Sequence, residues 1–191
     1  MTSNPNAADQ VAAPAQSRHG GTTIILHWLT ALLVIALFAT ANIWSFLERG
    51  SSLRHGLQSF HISMGLLLAA VMVLRLVWRV TRKHDLTRTL PKWQQAAASL
   101  VHVVLYALLA GQVALGFLFR WAQGEPLTFF GLFSMPTLVT LDHGLARTLG
   151  GLHDNVAWAI MIIAGLHAGV ALLHHYVLRD DVLLRMMPAK G

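Results

Sequence analysis

Four histidines, His27, His61, His153 and His167, lie in or at the edge of long apolar stretches, where an ionisable side chain is costly and usually marks a site. His153 and His167 are 14 residues apart. On a helix that is close to four turns, so the two share a face and are separated by roughly 21 Å along the axis. His61, near the start of one apolar run, reaches the depth of His153, and His27, near the start of another, reaches that of His167. Two cross-helix pairs follow, His61 with His153 and His27 with His167, one toward each leaflet. Two neutral imidazoles facing each other across a helical bundle suit a six-coordinate haem, each giving one ring nitrogen to iron while the other donates to a nearby acceptor. With both axial positions filled, the iron has no open site for O2, which favours electron transfer over oxygen binding. For any single one of these residues the plainer alternative is an interhelical hydrogen bond. Four at two matching depths favour ligation.

Other polar groups gather around the same levels. Arg75 is 14 residues after His61, so it shares that face at the depth of the His27/His167 pair. A guanidinium there wants a carboxylate, and haem propionates supply two; snorkelling to the nearby surface is the competing reading. His174 lies one heptad beyond His167, with His175 and Tyr176 beside it, and is placed to offer a proton or hydrogen bond to a quinone oxygen. His102 fits an interhelical or supporting partner rather than a ligand. Gly65, Gly111, Gly116 and Gly165 allow close approach of helices or of a flat macrocycle. Trp28, Trp44, Trp78 and Trp93 fit an aromatic belt. The chain has no Cys, which excludes disulfides, zinc knuckles and thiolate-held clusters within it. Its few carboxylates lie mostly near loops, so a zinc or di-iron site has less support.

The elements that must carry these residues are membrane helices. Of 191 residues, 55% are hydrophobic and 12% charged, against about 25% charged in soluble domains. Residues 22–47, 93–119 and 155–178 contain no charged side chain, and 56–78 only Arg75. A bilayer core needs about 20 apolar residues as helix, and unpaired backbone is not tolerated in lipid, so four spans are expected at about 22–47, 56–79, 93–119 and 150–178. The net charge of +6 is spread between the apolar runs rather than pooled on a polar module, which argues for membrane lipid and against nucleic acid. Arg79, Arg82, Lys83, Arg88 and Lys92 fill the second loop, and Arg179, Arg185 and Lys190 the tail, against Arg49, Arg54, Arg120 and Arg147 on the other side. The positive-inside rule then puts both termini in the cytoplasm. The outer third loop, 121–149, carries Trp121, Phe129, Phe130 and Phe133, which suggests an interfacial stretch with some helical character. The first 20 residues, rich in Ala, Ser, Asn, Gln and Pro, read as a disordered extension without a signal peptide. The expectation is an all-α integral membrane four-helix bundle occupying 21–191.

The stretches ILHWLTALLVIAL (25–37), FHISMGLLLAAVMVLRLVWR (60–79), LVHVVLYALLAGQVALG (100–116) and LHDNVAWAIMIIAGLHAGVALLHHYVLRDDVLLRMMP (152–188) resemble the bacterial cytochrome b561 family, related to the cytochrome b subunits of nickel–iron hydrogenases. The resemblance covers nearly all of 20–190 and implies two haem b groups, with His27, His61, His153 and His167 as axial ligands. It implies a multi-pass protein of the bacterial inner membrane linked to quinone. One branch oxidises superoxide at the outer face and reduces ubiquinone, and the closing LLRMMP is similar to that branch. On that reading Arg54, Arg120, His143 and Arg147, in the outer loops, are candidates for steering the superoxide anion. The alternatives are quinol-driven electron export to a periplasmic partner, a membrane subunit of a dehydrogenase or hydrogenase, and a non-redox metal transporter or scaffold.

Overall fold

A computed structural model of the chain describes residues 20–81, 91–139 and 141–187. The N-terminal extension up to residue 19, and Arg82, Lys83, Arg88 and Lys190 of the charge argument, lie outside the described residues. The four apolar runs are four helices: α1 (Gly21–Ser45), α2 (Ser52–Thr81), α3 (Lys92–Ala122) and α4 (Leu145–Leu173). Each is long and apolar enough to cross a membrane. Their large apolar side chains look outward: Leu32, Val73, Ile162 and Leu166 are all at least 60% exposed. A soluble chain would bury such residues, whereas lipid solvates them.

The bundle is built as two helical hairpins. α1 packs along α2, and α3 along α4, while α2 and α3 touch much less. Leu33, Leu68 and Val71 form the buried centre of the first hairpin, with Leu29, Leu37, Met64 and Met72 packed on it. Arg54, in the first turn of α2, closes that hairpin: its Nη1 donates to the carbonyls of Trp44 at 2.7 Å and Leu47 at 3.1 Å. The end of a helix leaves its last carbonyls without intrahelical partners, and a guanidinium satisfies them with favourable charge. Phe38 of α1 and Trp158 of α4 meet edge to face at 4.8 Å, tying the two hairpins between the histidine levels.

The third loop differs from expectation. Its aromatic stretch is a two-stranded antiparallel hairpin, β1 (Leu127–Phe129) and β2 (Phe133–Met135), not a helical segment. The turn has positive φ at both Phe130 (46°) and Gly131 (72°), and the Leu132 N–H closes it on the Phe129 carbonyl at 2.8 Å, the geometry that matches strand twist. Gly131 adopts that conformation freely, while Phe130 is held in it by α2. Its N–H donates at 2.8 Å to Oγ of Ser63, a side chain that is 1% exposed.

Candidate functional site

At the hairpin end of the bundle, α2 brings His61 to face His153 of α4. The ring centroids are 6.3 Å apart with planes at 72°. His61 is held from behind. Its Nδ1 lies 3.1 Å from the Leu37 carbonyl and 3.3 Å from the Thr40 hydroxyl, and that hydroxyl itself donates to Leu37 at 2.9 Å. Nδ1 is therefore the protonated nitrogen, donating to Leu37, and Nε2 keeps its lone pair. Trp44 closes one side of the ring at 4.9 Å. Across the gap, His153 Nδ1 is buried without a hydrogen-bond partner among the described residues, although the Gln112 carbonyl stands beside the ring.

This arrangement fits an iron porphyrin. An imidazole nitrogen sits about 2.0–2.1 Å from a bound metal and roughly 1.2 Å from its own ring centre, so two rings sharing one metal have centroids about 6.4–6.6 Å apart. The observed spacing is 6.3 Å. Among the described residues no three His, Asp or Glu side chains come together as a metal-ion cluster. Two imidazoles alone are a poor set for a bare metal ion but the usual axial set for a haem, whose macrocycle supplies the other four donors.

At the opposite end, the ring of His167 packs against His102 of α3, centroids 5.2 Å apart. His27, half-buried on α1, has the Trp28 ring beside it at 5.7 Å. Arg75 meets an aromatic ring of α3. Its guanidinium lies 5.2 Å from the centre of the Tyr106 ring, and that of Arg79 lies 5.3 Å from the same ring, a cation–π arrangement. Neither arginine pairs with a carboxylate among the described residues.

Below it, α4 relaxes into one π turn, His174–Leu178, a form that recurs at functional sites. Arg179 then takes a left-handed conformation (φ 54°), which folds the chain back. The Asp180 N–H bonds the His174 carbonyl at 3.1 Å, and the Asp180 carboxylate accepts from His174 Nδ1 at 2.5 Å and from the Val182 N–H at 3.1 Å. The returning segment is strapped to α1 by Trp28, whose Nε1 donates to the Met186 carbonyl at 2.8 Å. Partial burial raises the Asp180 carboxyl, but the His174 and Val182 hydrogen bonds and the nearby His174 and Arg185 charges outweigh it and hold the group below its ordinary value of 3.8. A depressed carboxylate stabilises the fold above its unfolded value and loses that contribution as pH falls through the folded one. Asp180→Asn is therefore expected to speed amide exchange at Val182 several-fold near neutral pH, and the difference from the parent should vanish at pH low enough to protonate Asp180. Equal exchange near neutrality would leave the pair without a structural role.

Sequence comparison adds the family. The family profile described as "Prokaryotic cytochrome b561" matches residues 18–189. The chain belongs to that family. It is 32% identical over 173 residues to "Cytochrome b561 homolog 2" of Escherichia coli (strain K12), covering 89% of this chain and 91% of that protein. It is 31% identical over 176 residues to "Cytochrome b561 homolog 1" of the same strain, covering 91% and 99%. It is 33% identical over 168 residues to "Probable superoxide oxidase CybB" of Yersinia pestis, covering 86% and 93%. A cytochrome b561 is a multi-pass bacterial membrane oxidoreductase that binds b-type haem and moves electrons, and the His61/His153 geometry suits that cofactor.

Within this b561 framework the hairpin-end cations divide by what they touch. Arg54 is half-buried and tied to the α1 carbonyls. Arg120 pairs with Glu125. The His143 ring rests over Gly124, where an added Cβ would come within 3.3 Å of its Cε1. Arg147 is exposed in the first turn of α4 and makes no ion pair among the described residues. Several contributors escaped the sequence reading. Thr40 and Leu37 orient His61, Tyr106 receives Arg75, and Asp180 pairs with His174. Only the last left a trace, as a carboxylate six residues beyond a histidine, and its partnership depends on a chain reversal that spacing does not reveal.

Proposed function

We propose that this cytochrome b561 holds two b haems, one between His61 and His153 and one between His27 and His167, and carries electrons from superoxide outside the bacterial inner membrane to ubiquinone at the cytoplasmic side. The observation that carries the reading is the 6.3 Å spacing of His61 and His153, with His61 already turned so that Nε2 is the free donor. Bound there, each haem supplies a one-electron couple at its own depth. The name of the Yersinia pestis relative supports superoxide as the reductant. In the balance, two superoxide anions each lose one electron and leave as O2, and ubiquinone gains two electrons and two protons.

The chain's own residues do the rest. Arg75 offers its guanidinium to a propionate at the inner level. His174, oriented by Asp180, presents its other nitrogen toward a quinone oxygen at the cytoplasmic surface. Arg54 and Arg147 bring positive charge to the outer approach beside His143, and Arg147 is exposed and makes no ion pair among the described residues. A local field raises the encounter rate of a small anion, and salt screens it. Arg147→Glu is therefore expected to slow superoxide consumption a few-fold at low ionic strength and little at high salt. An unchanged rate at low salt removes Arg147 from the approach. The whole reading is tested by counting haems per purified chain and measuring superoxide-driven ubiquinone reduction. Two haems with superoxide-dependent quinol formation support it. Two haems reducible by quinol but not by superoxide would reverse the direction of flow.

A further inference from the structure

The α3–α4 interface carries two glycine contacts that answer each other. A Cβ built on Gly116 of α3 would lie 3.2 Å from Cε1 and 3.6 Å from Nδ1 of His153 on α4. A Cβ built on Gly150 of α4 would lie 3.0 Å and 3.1 Å from Cε2 and Cζ of Phe119 on α3. Phe119 follows Gly116 by three residues, and His153 follows Gly150 by three. Each helix thus seats one ring on a glycine of the other, with glycine and ring about one turn apart on both. Gly65, Gly111, Gly165 and Gly169, also inside helices, meet nothing within 4 Å at the same test. Among the described helical glycines, a contact this close occurs only at the level of His153.

Glycine weakens a helix interior relative to alanine, so two glycines at this level oppose local helix stability. What they permit is the position of one ring. His153 has a buried Nδ1 without a hydrogen-bond partner among the described residues and the Gln112 carbonyl beside it, one turn before Gly116. A methyl at 116 pushes the ring from the side on which Nδ1 lies. We propose that Gly116 and Gly150 form a reciprocal latch that sets the height and tilt of the His153 imidazole, which makes Gly116 a positioning residue for the outer haem. The proposal rests on the reading that His61 and His153 hold that haem.

The orientation of an axial imidazole and the hydrogen bond at its other nitrogen tune the metal they serve, so the latch is legible in the haem rather than only in stability. The experiment compares purified full-length parent, Gly116→Ala, Gly150→Ala, Gly169→Ala and Gly150→Ala/Phe119→Leu by haem content and by redox titration followed in the haem absorption bands. The expected result for Gly116→Ala and Gly150→Ala is an unchanged inner haem with an outer haem whose reduced-to-oxidised ratio at fixed poise shifts several-fold, tenfold being about 59 mV for one electron. Gly169→Ala should match the parent, and Phe119→Leu should return the Gly150→Ala protein toward it by making room for the methyl. The inner haem reports folding in every variant. If Gly116→Ala matches Gly169→Ala with two haems bound, the latch is wrong. If His153→Ala retains both haems, the reading beneath it is wrong, whatever the glycine variants do.

Discussion

His153→Ala is expected to leave one haem per chain where the parent holds two, and to cut superoxide-driven quinone reduction by at least about 100-fold, beyond the 10–100-fold typical of losing a supporting contact to a metal ligand. The two ring centres are already at the separation one shared metal requires, so removing either ring leaves half of an axial set with no neighbour to replace it. Among the described residues no further His, Asp or Glu gathers with the pair into a metal-ion cluster. His61 cannot compensate by moving, because its Nδ1 is anchored to Leu37 beside Thr40 and its ring is closed by Trp44. The surviving haem keeps its own spectrum and marks the chain as folded. Haem content by extraction, set against chain concentration, reads the result directly. Two haems in the variant would dissolve the His61/His153 pairing and with it the outer entry point for electrons.

The features legible from sequence are those fixed by the rise of a helix and by the thickness of a bilayer. Uncharged runs predict the spans, and the 14-residue interval between His153 and His167 predicts two levels. Helix ends were less legible. The run expected from 56 begins at Ser52, and that expected from 150 begins at Leu145, because the first turns, Ser-Leu-Arg-His and Leu-Ala-Arg-Thr, are helical but polar enough for the interface. The hairpin at 127–135 carries no Asn-Gly or Asp-Gly signal. Its turn puts a phenylalanine at positive φ, held there by the Ser63 contact across from α2. Side-chain partners across helices were legible least. Depth along an axis can be counted, but which neighbour a ring meets depends on helix rotation and crossing, and a single residue of rotation is 100°. His167 shows the consequence, since the ring beside it belongs to His102.

That contact leads to the second large effect, which separates three histidines at the inner level. His27→Ala and His167→Ala are each expected to lose one haem, whereas His102→Ala should retain two. The His102 and His167 rings have centroids 5.2 Å apart, about an ångström less than two imidazoles with one metal between them require. They also belong to α3 and α4, the two helices of one hairpin, which pack side by side. The outer pair takes its rings from α2 and α4, one from each hairpin, and so faces across the seam rather than along one side of it. On the proposed pairing, His27 on α1 is the corresponding donor from the first hairpin at the inner level. His102 is then placed to bond the second nitrogen of His167 and fix its ring, as Leu37 does for His61. Its removal should shift the inner haem's potential or absorption without emptying the site. Haem counts on the three variants decide the matter: loss on His102→Ala with retention on His27→Ala would assign the inner pair to α3 and α4 and leave His27 outside the redox path.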